Sequence, residues 1–213
     1  MIAQFHQSKS RPASEYVITS LDGHVLGNAE NPDGKSAVLR LLGREYQFRF
    51  ELETMVCADG VARHCFPFFC QGQQIGAIEH HSNVRKVRFL KWEGFHYQLF
   101  PVGNDWFELC EVGLGRERHY FCLHRNGITS AIVHMSDKEK DFCNDYMIYA
   151  EDENAFIAAS IATLYKDNIM EEQKKYRREY VSATKVLDTP DASLRARFDP
   201  DFIPRIQARD GRN

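Results

Sequence analysis

The sequence predicts a mainly β fold, a closed antiparallel barrel of about twelve strands around a buried hydrophobic C-terminal helix, with a helical or extended appendage after it. Three observations carry this. Short runs of β-branched and aromatic residues, broken by Gly, Asn and Asp, fill the chain from Tyr16 to about Ala150. One hairpin pattern recurs three times. An alanine-rich, almost wholly apolar segment, Ala155 to Leu164, follows the last strand-like run. Residues 1–14 read as an N-terminal tail, 15–170 as the barrel with its helix, and 171–213 as the appendage.

The plainest strand runs from Glu45 to Glu53. Tyr46, Phe48, Phe50 and Leu52 alternate with Glu45, Gln47, Arg49, Glu51 and Glu53, so one face meets a core and the other water. Val84 to Lys91 behaves similarly, with Val87 and Phe89 opposed by Lys86 and Arg88. The repeat is more informative than either strand. YVITSLDGHVLGNAE from Tyr16, CFPFFCQGQQIGAIE from Cys65 and YFCLHRNGITSAIVH from Tyr120 each place a glycine seven positions after the start. Gly23, Gly72 and Gly127 would supply the positive φ of a tight hairpin turn. A second unit, LRLLGREYQF and LKWEGFHYQL, sets Gly43 and Gly94 three residues before Tyr46 and Tyr97, with an echo in DYMIYA around Tyr146.

The character changes at EDENAFIAASIATLYKDNIM. Its acidic and Asn residues favour a helix N-terminus, with Asp152 or Asn154 as the cap. From Ala155 to Leu164 only Ser160 and Thr163 are polar. A helix apolar nearly all round is buried on nearly all sides or lies in a membrane. Ten residues rise only about 15 Å, too little to cross a bilayer. A thin, oily helix after antiparallel strands is what would fill a barrel lumen. Beyond Met170, EEQKKYRREYVSATKVL reads as a solvated or partner-docking helix. There Lys174, Lys175, Arg177 and Arg178 are nearly balanced by Glu171, Glu172 and Glu179, and Tyr176, Tyr180 and Val181 offer an apolar stripe. The rest of the tail has no periodic pattern and reads as poorly ordered or as an extended arm.

Composition bounds the partners. With 213 residues, 43% hydrophobic, 27% charged and a net charge of -3, the chain is an ordinary globular protein without a global field for nucleic acid. No stretch approaches the ~18 apolar residues of a membrane span, and no secretory leader is evident. Six cysteines without a C-x-x-C pair read as reduced and structural, which suggests a cytoplasmic chain, peripheral to membrane at most.

The repeated hairpin, and DYMIYAEDENAF leading into IAASIATLY, resemble the tubby C-terminal-like superfamily, especially its LURP-one-related and phospholipid-scramblase-like branch. The resemblance covers about Tyr16 to Met170 and implies a closed barrel threaded by a hydrophobic C-terminal helix. It also implies lipid or membrane contact, though tubby lipid-binding residues find no one-to-one match here. SDKEKDFCNDY is acidic where scramblase-like members carry a calcium segment, but lacks alternating oxygen ligands.

Catalytic signatures are absent: no G-x-S-x-G, no Walker loop, no H-E-x-x-H and no paired cysteine knuckle, while GLGRER at Gly113 reads as a turn. His80 and His81 are adjacent, as are His64 and Cys65, and neighbours on a strand face opposite ways. His119, Cys122 and His124 are split between faces too. No metal or cofactor is therefore expected. The most suggestive stretch is NVRKVRFLKW, where Arg85, Lys86, Arg88 and Lys91 cluster beside Trp92 as an anionic headgroup patch. The reading is a non-enzymatic binding or scaffold protein that engages anionic phospholipid or a protein partner. The alternatives are a carrier of a small apolar ligand, which a filled lumen disfavours, and an enzyme of unrecognised type.

Overall fold

The computed structural model describes residues 1–9, 13–88, 91–113, 119–135, 144–177 and 196–211. Among them run β1 (Ile2–Lys9), β2 (Ser14–Ser20), β3 (Val25–Asn31), β4 (Ser36–Leu41), β5 (Arg44–Arg49), β6 (Glu53–Val56) and β7 (Ala62–Cys70). There follow β8 (Gln73–Arg88), β9 (Lys91–Val102), β10 (Asp105–Gly113), β11 (His119–Arg125), β12 (Ile128–Met135) and β13 (Asp145–Ala150), then helices α1 (Glu153–Arg177) and α2 (Phe202–Asp210). All pairings are antiparallel: each strand pairs with its neighbour in sequence except that β5 joins β7 instead of β6, and β1 also joins β13. The β5–β7 pairing, Tyr46↔Cys70 to Phe48↔Phe68, closes a barrel of twelve strands. β6 pairs with β7 alone and is the extra strand.

Residues 1–14, expected as a tail, contribute β1 between β13 and β2, with Ala3 and Phe5 fully buried. The apolar alternation there is only three residues long before His6, Gln7 and Ser8 interrupt it, too short a signal to stand out.

All three repeats fold as hairpins: β2–β3, β7–β8 and β11–β12. Gln71 and Gly72 have φ of 50° and 79°, and Asn126 and Gly127 54° and 77°, the paired positive values of a type I′ turn. Each hairpin also shifts register just before its turn, after Ile18, Phe68 and Leu123. Opposite those three residues stand Gly27, Gly76 and Ala131. The repetition thus extends to a bulge and to a small residue four places after each turn glycine.

The second unit does not repeat in space. LRLLGREYQF is the β4–β5 turn with positive φ at Leu42 and Gly43, whereas Gly94 lies within β9 opposite Val84. The strand expected over Glu45 to Glu53 stops at Arg49. Past Phe68, β7 turns from β5 to β6, so Phe50 and Leu52 find no ladder partner and Leu52 is exposed. Val84 to Lys91 is likewise not one strand but the far end of β8 and the start of β9.

Asp152 caps α1, its Oδ1 accepting the Ala155 N–H at 2.9 Å. Every residue from Ala155 to Leu164 is fully buried. Ser160 and Thr163 donate back to the Phe156 and Ala159 carbonyls, so their hydroxyls need no other partner. One continuous apolar cluster draws on all twelve barrel strands and on α1. The next turn of the helix is polar and reaches several strands. Tyr165 bonds His80 of β8, Asn168 accepts from Asn31 of β3, and Asp167 accepts from Tyr16 of β2, Tyr146 of β13 and Asn144. α1 runs on to Arg177, so the division expected at 170/171 falls inside a continuous helix. Arg178, Tyr180 and Val181 lie outside the described residues, as do SDKEKDFC and the residues after Gly113 in GLGRER.

The tail ends in a docked helix rather than an irregular arm. Phe202 and Ile206 of α2 cover Ile2, Phe95, Cys110, Cys122 and Ile132 in a second apolar cluster. Arg209 donates to the Ala150 and Glu151 carbonyls, and Arg197 pairs with Glu108 at 2.5 Å. Only the packing on the sheet reveals α2, because Phe202 and Ile206 are too few to announce a helix in sequence. No helix among the described residues is long and apolar enough to cross a membrane.

Beneath this strap His124 is fully buried, its Nε2–H donating to the Arg197 carbonyl at 3.1 Å. Its Nδ1 has no partner among the described residues. Burial lowers the His124 pKa against the smaller upward pull of the Arg197 carbonyl; Arg197 and Glu108 are the charges that face it. The unfolded chain protonates histidine near pH ~6.5. The folded chain resists, so stability is complete above that pH and is lost as pH falls toward the folded pKa. The melting temperature is therefore expected to drop between pH 7.5 and 5.5, above the range where carboxylates titrate, and to drop less in His124→Gln. Equal slopes in both proteins would remove His124 from the account.

Candidate functional site

The barrel wall is interrupted where β7 parts from β8. Their ladder ends at Phe66↔Ile78, and the β9–β10 ladder ends at Gln98↔Leu109. Beyond those pairs β8 and β9 continue together from His80↔Gln98 to Arg88↔Lys91. Among the described residues no other strand pairs with this ribbon, which extends roughly 25 Å at ~3.3 Å per residue.

The expected headgroup residues all lie on the outer part of this ribbon, not on the barrel wall. Lys86 is exposed and stands opposite Trp92. Arg85 is paired with Glu93, and Arg88 with Lys91; of these the backbone alone is described. A register shift between Lys86 and Arg88 breaks the two-residue alternation that would have put them on one regular face. What the fold brings together is four basic residues at the end of one two-stranded arm. The base of the arm is braced by the C-terminal strap, with the Arg197 guanidinium 5.4 Å from the Phe95 ring.

At the root of the ribbon is a pocket of about 550 Å³ lined by Asp59, Arg63, His80, His81, His96 and Tyr97. Arg63 forks onto Asp59 at 2.6 and 2.7 Å, and this pairing, with the Val61 N–H, holds the Asp59 carboxyl down to about 2. Glu79 is buried; its Oε1 accepts the Ala58 N–H and its Oε2 lies 2.8 Å from His81 Nε2. His81 also stacks on Tyr97, centroids 5.3 Å apart. His80 meets the Tyr165 hydroxyl at 2.9 Å and packs edge-on against Phe66. Desolvation lowers its pKa, and Lys166, His81 and His96 lower it further.

Sequence reasoning separated His80 from His81 on the ground that strand neighbours face opposite ways. Both nonetheless line the pocket, because the wall ends beside them and the β6–β7 hairpin brings Asp59 and Arg63 to its edge. The pocket joins three distant segments, around Asp59 and Arg63, His80 and His81, and His96 and Tyr97. Among the described residues no group of three or more His, Cys, Asp or Glu side chains could hold a metal ion. Cys57, Cys65, Cys70, Cys110 and Cys122 are free thiols, and Cys143 lies outside the described residues. A second hollow of about 370 Å³ lies over Leu26 to Asn28 and Arg40 to Glu45, beside the β4–β5 turn.

Set against family models, curated proteins and solved structures, the chain has no match in any of the three.

Proposed function

We propose that this is a non-enzymatic binding module of the tubby C-terminal-like type, cytoplasmic and peripheral to membrane, whose β8–β9 ribbon engages anionic phospholipid headgroups. The observation that carries the reading is the ribbon itself. Four of the seven residues from Arg85 to Lys91 are basic, and they sit at the end of an arm that leaves the barrel wall. Each basic residue near an anionic surface contributes about 1 kcal/mol, so four together suffice for reversible attachment.

The rest of the fold suits a rigid platform for such an arm. On this reading α1 fills the lumen. Complete burial from Ala155 to Leu164 supports that placement, as do its side-chain bonds to β2, β3, β8 and β13. A filled lumen leaves no room for an apolar cargo, which disfavours the carrier reading.

Sedimentation with phosphatidylcholine/phosphatidylserine vesicles tests the proposal. The wild type is expected to pellet at low salt and less so at high salt, since surface attraction is screened. Lys86→Glu with Arg88→Glu is expected to reduce the bound fraction more than ~10-fold. Wild type that stays in the supernatant, or a double variant that pellets equally, would overturn the lipid reading and leave a protein partner as the ribbon's target.

A further inference from the structure

We propose that Cys57 and Cys65 form a reversible redox site, closing to an intramolecular disulfide on reaction with a small-molecule disulfide of the glutathione class. Their sulfurs are 3.5 Å apart, already in contact. Cys110 and Cys122 stand opposite each other, on β10 and β11, but they are sealed in the second apolar cluster beneath α2. A disulfide needs ~2.05 Å between sulfurs, so closure brings them about 1.5 Å closer, with β6 shifting as far as the Cα spacing of a disulfide requires.

The surroundings favour opening and closing at this place. Both thiols belong to the β6–β7 hairpin, where Cys57 exchanges backbone bonds with Gly60 and Val61 and Cys65 stands opposite Glu53. With Ala77 and Met55 they make a small apolar cluster of their own, apart from the two larger cores. β6 is held on one side only, and Glu53, Thr54 and Val56 are exposed. It can therefore lift from β7 without opening the twelve-stranded ring.

The chemistry balances in two exchanges. Both residues are buried, Cys65 completely and Cys57 to all but 5%, so once β6 lifts the Cys57 side is the one that a reagent meets first. The Cys57 sulfur attacks the small disulfide, forms a mixed disulfide and releases one small thiol. Cys65 then attacks the Cys57 sulfur, forms the internal bond and expels the second small thiol. Two electrons pass from the cysteine pair to the reagent, and the two cysteine protons end on the released thiols. Burial and the neighbouring Cys57 push the Cys65 thiol up to about 12, which makes it a poor first attacker. Proximity compensates in the second, intramolecular step.

The bond would staple the loop that carries Asp59 and Arg63, two walls of the pocket at the ribbon's root. The redox state would then decide whether that edge of the pocket is fixed or free to lift.

The full chain is incubated with glutathione disulfide, alkylated and mapped by mass spectrometry. The expected product is a linked Cys57–Cys65 peptide, lighter by the ~2 Da of two lost hydrogens and restored by dithiothreitol. In Cys65→Ser the reaction is expected to stop at the mixed disulfide on Cys57, while Cys57→Ser is expected to take up almost no glutathione at Cys65. Two alkylated thiols after oxidation, or either cysteine linked mainly to another partner, would overturn the proposal. The wild-type map alone decides if a serine variant does not fold.

Discussion

Asp167→Ala is expected to be among the most destabilising single changes in this chain, lowering stability by about 4 kcal/mol and the melting temperature by roughly 10 °C. The carboxyl group is fully buried on α1 and accepts from three donors of distant segments: the Tyr16 hydroxyl at 2.5 Å, the Asn144 amide at 2.6 Å and the Tyr146 hydroxyl. Alanine removes one acceptor but strands three donors, and each loses about 1–2 kcal/mol of net hydrogen bonding without regaining water. The bonds also join α1 to β2 and β13, so the loss falls on the contact between helix and barrel. Asp167→Asn should cost less, because one acceptor oxygen remains, although the amide N–H groups then face donors. Thermal melts of both variants decide the matter. An alanine variant within about 1 kcal/mol of wild type would show that the three donors find other acceptors, and that the polar turn of α1 is not what anchors it.

That cluster marks the limit of what could be seen in the sequence. Hairpin turns were legible because turn chemistry is local: Gln71–Gly72 and Asn126–Gly127 need no distant partner to adopt positive φ. The burial of Ala155 to Leu164 was legible for the same reason, since a segment apolar all round has few alternatives. β1 and α2 were not, because both are short and defined by what they pack on, Phe5 in one core and Phe202 in the other. The basic stretch from Arg85 to Lys91 stands out in sequence by its charge, but nothing in Val84 to Lys91 says that the ladders with β7 and β10 have already ended. The pocket was invisible for a different reason. Asp59, His80 and His96 meet only through the end of one ladder and the fold of the β6–β7 hairpin, and neither has a signature in sequence.

Gly27→Ala is expected to destabilise the protein by about 3 kcal/mol, and more than Gly23→Ala, although Gly23 is the glycine that sequence singles out. At Gly23 the backbone has φ of 86°, and an added Cβ would meet nothing within 4 Å. Alanine there costs only the strain of positive φ, about 1 kcal/mol. Gly27 sits opposite Ile18 at the bulge, and a Cβ would lie 2.2 Å from the Arg40 carbonyl oxygen and 3.1 Å from the Leu41 Cα. Those are backbone atoms of β4, so relief requires β3 and β4 to separate along a ladder that pairs Gly27 with Leu41 and Asn28 with Arg40. Gly76 holds the equivalent position in the second repeat, where a Cβ would stand 2.5 Å from the Pro101 ring. In the third repeat Ala131 occupies the place, fully buried, so the bulge itself accepts a methyl group and the neighbouring strand decides whether it fits. Melting temperatures of the two variants side by side test this. If Gly23→Ala costs more than Gly27→Ala, turn conformation rather than close strand approach limits the hairpin repeat.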